Sequence, residues 1–116
     1  MVDDDASIRV ALDDLLQSLG YDVQTFGSAR QFLQSDRLND TACVISDVTM
    51  PEMNGVELFE ELQRRGNRMP FIFITAFPKE GLARRAIRAG AAFLIKPFKQ
   101  DALVGCIENA IRSAGR

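Results

Sequence analysis

The sequence predicts an α/β fold with a doubly wound parallel sheet, and three observations carry that expectation. Apolar runs of strand length, 43–46, 71–74 and 92–95, alternate with stretches whose apolar residues recur at helical spacing. Glycines punctuate the helical stretches, Gly20 after the first and Gly66 after the third. A chain of 116 residues, 47% hydrophobic, is long enough to bury one real core.

Each element follows in order. Residues 6–19 place Ile8, Ala11, Leu12, Leu15, Leu16 and Leu19 on one stripe. Residues 21–26 read as an edge-like strand with Val23 and Phe26 apolar. Ser28, a good N-cap, opens a short helix carrying Phe32 and Leu33. The buried strand 43–46 runs straight into Asp47. Gly55 opens a helix through Val56, Leu58, Phe59 and Leu62, and 71–74 is the most strand-like run, ending at Thr75. A helix over about 78–89, a strand 92–95 and a last helix over about 99–112 complete the pattern. No repeat, low-complexity segment or linker interrupts it, so 1–116 reads as a single domain. The start departs from the pattern. A strand needs about five or six residues, yet only Met1 and Val2 precede Asp3.

Composition excludes several function classes. A net charge of −2 gives no basic field for nucleic acid. No apolar run approaches the roughly 20 residues that span a bilayer, and an acidic N-terminus is unlike a signal peptide. These features predict a cytoplasmic chain with no membrane contact. Cys43 and Cys106 form no metal or disulfide pattern and read as small core residues. The chain has no histidine, which removes Ser-His-Asp and Cys-His catalysis and His-ligated zinc. Its chemistry must run on carboxylates, hydroxyls and lysine.

In parallel α/β sheets, function sits beyond the carboxyl ends of the strands. Those ends carry Asp3, Asp4 and Asp5 after the N-terminal stub, Asp47 after the buried strand, Thr75 after the next and Lys96 after the last. Taken singly, residues 3–5 are a solvated helix N-terminus, Thr75 is a structural hydroxyl, and Lys96 is a surface lysine. Asp47 differs, because a carboxylate directly after a buried apolar strand is expensive unless used. Clustered carboxylates need compensation, and Mg²⁺ suits them because it takes oxygen ligands and uses only one or two carboxylates. A carboxylate can then attack a phosphoryl group, with Lys96 and Thr75 placed to meet the phosphoryl oxygens.

Val2-Asp3-Asp4-Asp5, Ser46-Asp47-Val48-Thr49-Met50-Pro51-Glu52-Met53-Asn54-Gly55, Ile74-Thr75-Ala76 and Lys96-Pro97-Phe98 together resemble the signature of CheY-like response regulator receiver domains. The resemblance covers nearly the whole chain. It implies a flavodoxin-like (βα)5 fold with strand order 2-1-3-4-5, here with the first strand truncated. By the same resemblance Asp47 is the phosphoacceptor, Asp3 and Asp4 are the acidic pair for Mg²⁺, with Asp4 the direct ligand, and the Thr49 carbonyl completes the protein's share of the metal shell. Thr75 and Phe93 become the switch pair, Lys96 the phosphate-contacting lysine, and Lys96-Pro97 a cis peptide. The face of the fourth helix, fifth strand and fifth helix would change shape to control a partner, a second copy or an attached output domain of transcriptional type. Arg84, Arg85 and Arg88 on its helix read at least as well as a solvated surface as they do as a partner or dimer patch. Since the chain has no histidine, the phosphohistidine donor must sit on a histidine kinase or phosphotransfer protein.

Two departures from the family stand out. The interval from Gly90 to Lys96 is about one residue short, and the front half of the central first strand is missing. The latter predicts a chain that is trimmed, or unstable or rearranged as a monomer, with a strand slot open to pairing. The alternative function is a Mg²⁺-dependent aspartyl-phosphate phosphatase of the haloacid dehalogenase type, although those enzymes place a second Asp where this chain has Thr49. Nucleotide or flavin binding lacks a Gly-rich phosphate loop.

Overall fold

A computed structural model describes residues 1–36, 38–50, 52–67, 69–76, 80–88, 90–96 and 98–114. The elements in chain order are α1 (Ala6–Ser18), α2 (Ala29–Leu33), a 3₁₀ turn (Leu38–Asp40), β1 (Val44–Asp47), α3 (Gly55–Arg64), β2 (Phe71–Thr75), α4 (Glu80–Arg88), β3 (Ala92–Ile95) and α5 (Gln100–Ala114). The strands are parallel, β1 pairing Val44 with Phe71 through Asp47 with Ile74, and β2 pairing Ile72 with Ala92 through Thr75 with Ile95. Two more sheet positions are held by single residues, since Val2 bridges in parallel to both Phe26 and Ser46. Read across the sheet, the order is therefore Phe26, Val2, β1, β2, β3. That is the 2-1-3-4-5 order, with β3 as the expected fifth strand.

Alternation along the strands sorts the core into two layers. Val44, Phe71 and Phe73 face α2, α3 and α4 through Phe32, Val56, Phe59, Leu62 and Ala86. Ile45, Ile72 and Ile74 face α1 and α5 through Leu12, Leu16, Leu103 and Ile107. Phe59 meets Phe71 and Phe73 edge-on at ring separations of 5.0 and 5.7 Å, the favoured geometry for aromatic pairs.

Several sequence expectations need correction. Residues 21–25 form no strand, and only Phe26 bridges. The ladder it would join offers little more than one residue, and a lone bridge cannot hold five residues extended. The α1 stripe is narrower than its spacing suggests. Leu12 and Leu16 are buried, whereas Ala11 is exposed and Leu19, the C-cap residue, is 48% exposed. Asp47 belongs to β1 itself rather than following it. The expected ends of the fourth helix at Pro78 and Ala89, and the cis peptide at Pro97, lie outside the described residues.

The caps explain where helices begin and end. Ser28 accepts from the Gln31 N–H, while Gly20 and Gly66 take left-handed backbone (φ 93° and 84°) after α1 and α3. At α3 the Asn54 side chain accepts from the Glu57 N–H, and Glu57 accepts from the Asn54 N–H. This reciprocal pair satisfies two helix-end donors and fixes the loop that leaves Asp47. Asn54→Ala is expected to lower stability by about 1 kcal/mol, read as a lower urea midpoint at unchanged slope.

Beside Val2, a cavity of about 330 Å³ lies between residues 21–26 and β1, walled by Met1, Leu16, Tyr21, Val23, Val44 and Ile107 among others. Cys43 also lines it, and burial pushes that thiol up to about 11, which keeps it protonated and unreactive.

Candidate functional site

The C-terminal ends of the strands gather the expected residues. Val2 is completely buried and donates to the Ile45 carbonyl, while its own carbonyl accepts from the Asp47 N–H. This stitching sets Asp3 beside the end of β1. Asp3 is itself fully buried, Asp47 is nearly so at 8% exposed, and Asp4 is exposed. One carboxylate oxygen from each of the three lies within 4.8 Å of the others. The third member of the acidic run does something different. Asp5 caps α1, accepting from Ser7 and Ile8, so the helix-terminus reading holds for that residue alone.

Lys96 completes the group. It follows β3, and its N–H donates to the Thr75 carbonyl at 2.8 Å, which anchors the start of its side chain to β2. Its Nζ lies 3.3 Å from Asp3 Oδ2 and 3.5 Å from Asp47 Oδ2. One ammonium thus serves two buried carboxylates. Burial, and then the negative charge of Asp3, push the Asp47 carboxyl above its usual range, while Lys96 and the Thr49 N–H at 3.2 Å pull the other way. Two carboxylates in low dielectric with a single lysine are under-neutralised, so the donor set suits a hard cation, which takes carboxylate oxygens and keeps its waters.

Thr75 is buried at the end of β2. Phe93 pairs in register with Phe73 and packs, half-buried, against the core layer containing α3 and α4. The exposed residues Arg84, Arg85 and Arg88 lie on α4, and Arg85 donates to Glu60 of α3 at 2.7 Å. Two contributions escape sequence reasoning, which marks Gly55 only as a helix start and motif residue and passes over Arg9. A Cβ on Gly55 would lie 2.4 Å from the Asp47 carbonyl oxygen and 3.0 Å from Ser46 Oγ, so α3 starts against the backbone of Asp47. Arg9 reaches back from α1 to donate to the Asp3 carbonyl at 2.6 Å. Only the Asn54-x-x-Glu57 spacing was a readable sign, since capping boxes have that signature.

With this geometry in place, the relatives are informative. The response regulator receiver domain family model matches residues 1–108. The chain is 38% identical over 115 residues to response regulator protein TodT of Pseudomonas putida, covering 98% of this chain and 51% of TodT. It is 39% identical to transcriptional regulatory protein FixJ of Bradyrhizobium diazoefficiens, covering 98% of this chain and 56% of FixJ. The solved structure of response regulator StyR superposes with a TM-score of 0.89 at 42% identity, covering 97% of this chain and 57% of that one. The chain belongs to the response regulator receiver domain family, and its fold is the flavodoxin-like α/β fold of those domains. Receiver domains are signalling units rather than turnover catalysts. The chain spans about half the length of these curated relatives. Among the described residues no helix is long and apolar enough to cross a membrane.

Proposed function

We propose that Asp47 accepts a phosphoryl group from a phosphohistidine on a separate histidine kinase or phosphotransfer protein, and that residues 1–116 act as one cytoplasmic receiver unit. The observation that carries this reading is Lys96 Nζ shared between two buried carboxylates, Asp3 and Asp47, with Asp4 alongside. Burial first, and then the negative charge of Asp3, raise the Asp47 carboxyl, and added positive charge at the cluster opposes both.

Asp3, Asp4, Asp47 and the Thr49 carbonyl are the residues that would hold Mg²⁺. Bound there, the cation would neutralise charge on the phosphoryl oxygens as the bond to Asp47 forms. The chain's own groups do the rest. Asp47 supplies the attacking carboxylate, one oxygen of which the Thr49 N–H holds, and the P–N bond to the donor imidazole breaks with its electron pair staying on that nitrogen. Lys96 meets the phosphoryl oxygens as its hold on Asp47 is exchanged, and the buried Thr75 hydroxyl turns towards them.

The movement of Thr75 frees space beside β3, and Phe93 turns further inward. That shifts the population of the face made by α4, β3 and α5. Ile87 and Ile95 on this face are 63% and 52% exposed, beside the α4 arginines, which suits contact with a partner, a second copy or an output module. Contacts to DNA belong to such a module, not to this acidic chain. Titration with a beryllium fluoride phosphate mimic and Mg²⁺, followed by NMR, should displace the resonances of Thr75 and Phe93. Resonances that stay fixed while the mimic binds would contradict the switch.

A further inference from the structure

We propose that Arg9 is a positioning residue for the cation, fixing the Asp3–Asp4 peptide through the Asp3 carbonyl and so aiming Asp4 at the space between Asp3 and Asp47. The inference rests on the acidic cluster being a cation site, as above. Its starting point is the uneven anchoring of the two neighbours. Asp3 is held at every polar group. Its N–H donates to the Phe26 carbonyl at 3.1 Å, Oδ1 accepts from the Asp5 N–H at 2.9 Å, Oδ2 faces Lys96, and its carbonyl accepts from Arg9 Nη1 at 2.6 Å. Asp4 is exposed. Its direction is set by the peptide that joins it to Asp3, and the oxygen of that peptide is the one Arg9 holds.

Arg9 is itself well placed to stay put. It lies in the second turn of α1, with its N–H donating to the Asp5 carbonyl at 3.1 Å, and it is half-buried. Its guanidinium crosses the bare backbone of Gly27, where a Cβ would sit 3.5 Å from Nη1 and 3.8 Å from Cζ. The Gly27 N–H is tied to Gln31 Oε1 at 2.9 Å. The guanidinium, carried by α1, therefore lies beside the loop before α2 while it holds the Asp3 carbonyl of the acidic turn. Partners one step outside a metal's ligands commonly govern its affinity by orienting those ligands.

Charge and position predict opposite signs, which makes the inference testable. Arg9 brings a positive charge close to a cation site, so by Coulomb's law alone its removal should tighten Mg²⁺. If its role is to position Asp4, removal should weaken Mg²⁺ instead. The experiment is an NMR titration of the full chain with MgCl₂ alone, from an EDTA-treated start, following the Asp4 and Thr49 amides. Arg9→Ala should shift the Asp4 amide before any metal is added. It should also weaken the Mg²⁺ dissociation constant about tenfold, the low end for lost outer partners, and Arg9→Lys should recover most of that loss. Arg9→Gln, a longer neutral side chain, carries the same expectation if Arg9→Ala unfolds. An affinity in the neutral variants equal to or tighter than wild type, with wild type binding normally, would overturn the role of Arg9 alone. A wild-type chain that binds no Mg²⁺ would overturn the cation site itself, and the Arg9 inference with it.

Discussion

Gly55→Ala should destabilise the protein by about 3 kcal/mol, the upper end for overpacking a well-filled interior, and lower its melting temperature by roughly 10 °C. The cause is local. A methyl group there would sit 2.4 Å from the Asp47 carbonyl oxygen, far inside van der Waals contact, with Ser46 Oγ at 3.0 Å behind it. Both obstacles belong to buried residues of β1, and the nearer one is backbone, which cannot swing away as the end of a flexible side chain can. The Gly55 N–H also donates to the Val48 carbonyl at 2.9 Å, tying the start of α3 to the strand end. Relief must come from moving α3 or Asp47. Phosphorylation should therefore fall together with stability. Gly105→Ala in α5 is the control, because nothing lies within 4 Å of its added methyl. That change should leave the melting temperature level or raise it, as alanine favours a helix over glycine by about 1 kcal/mol. Equal melting temperatures for the two variants would contradict the close approach at Asp47.

The second large effect concerns charge. Without divalent metal, Lys96→Gln should destabilise by about 2 kcal/mol, less than the 3–5 kcal/mol typical of a fully buried broken pair because Lys96 keeps some exposure. Asp47→Asn should do the reverse and raise the melting temperature, since it removes one of two under-neutralised carboxylates. The pH dependence has a definite sign. Burial and the Asp3 charge raise the folded Asp47 carboxyl above its unfolded value. Native protein then binds that proton more tightly than unfolded protein. Its stabilising contribution is present below the unfolded value and is lost as pH rises through the folded one. The advantage of Asn over Asp should accordingly be absent at low pH and grow through that window. Melting curves in EDTA from acid to neutral pH test this. A Lys96→Gln loss that shrinks when Mg²⁺ is added is the matching expectation, because the cation takes over the lysine's neutralising role.

Much of the site was legible because strand ends in a parallel sheet point to one edge. Asp47, Thr75 and Lys96 could be placed there from apolar runs, Asp3 only from a two-residue stub, and the structure brings Lys96 to both buried aspartates. Helix ends were legible where glycine follows an amphipathic run, as at Gly20 and Gly66. What stayed hidden depends on distances between segments. Residues 21–25 have strand-like composition, but pairing needs a neighbour, and Val2 provides a single bridge. Leu19 continues a helical stripe in sequence, yet it falls at the C-cap, where the stripe has turned away from the core. Gly55 and Arg9 act on backbone carbonyls, which carry no sequence identity. Their roles emerge only once β1 and the acidic turn are folded beside them.

The central claim is that Asp47, supported by the acidic pair and Lys96, is where this receiver takes its phosphoryl group. Incubation with acetyl phosphate and Mg²⁺, followed by intact mass spectrometry, tests it most directly. Wild-type protein should gain one phosphoryl group with Mg²⁺ present and none when Mg²⁺ is withheld, and folded Asp47→Asn should gain none under either condition. Labelling of Asp47→Asn to the wild-type extent, or a folded wild-type chain that takes no label with Mg²⁺ present, would contradict the account.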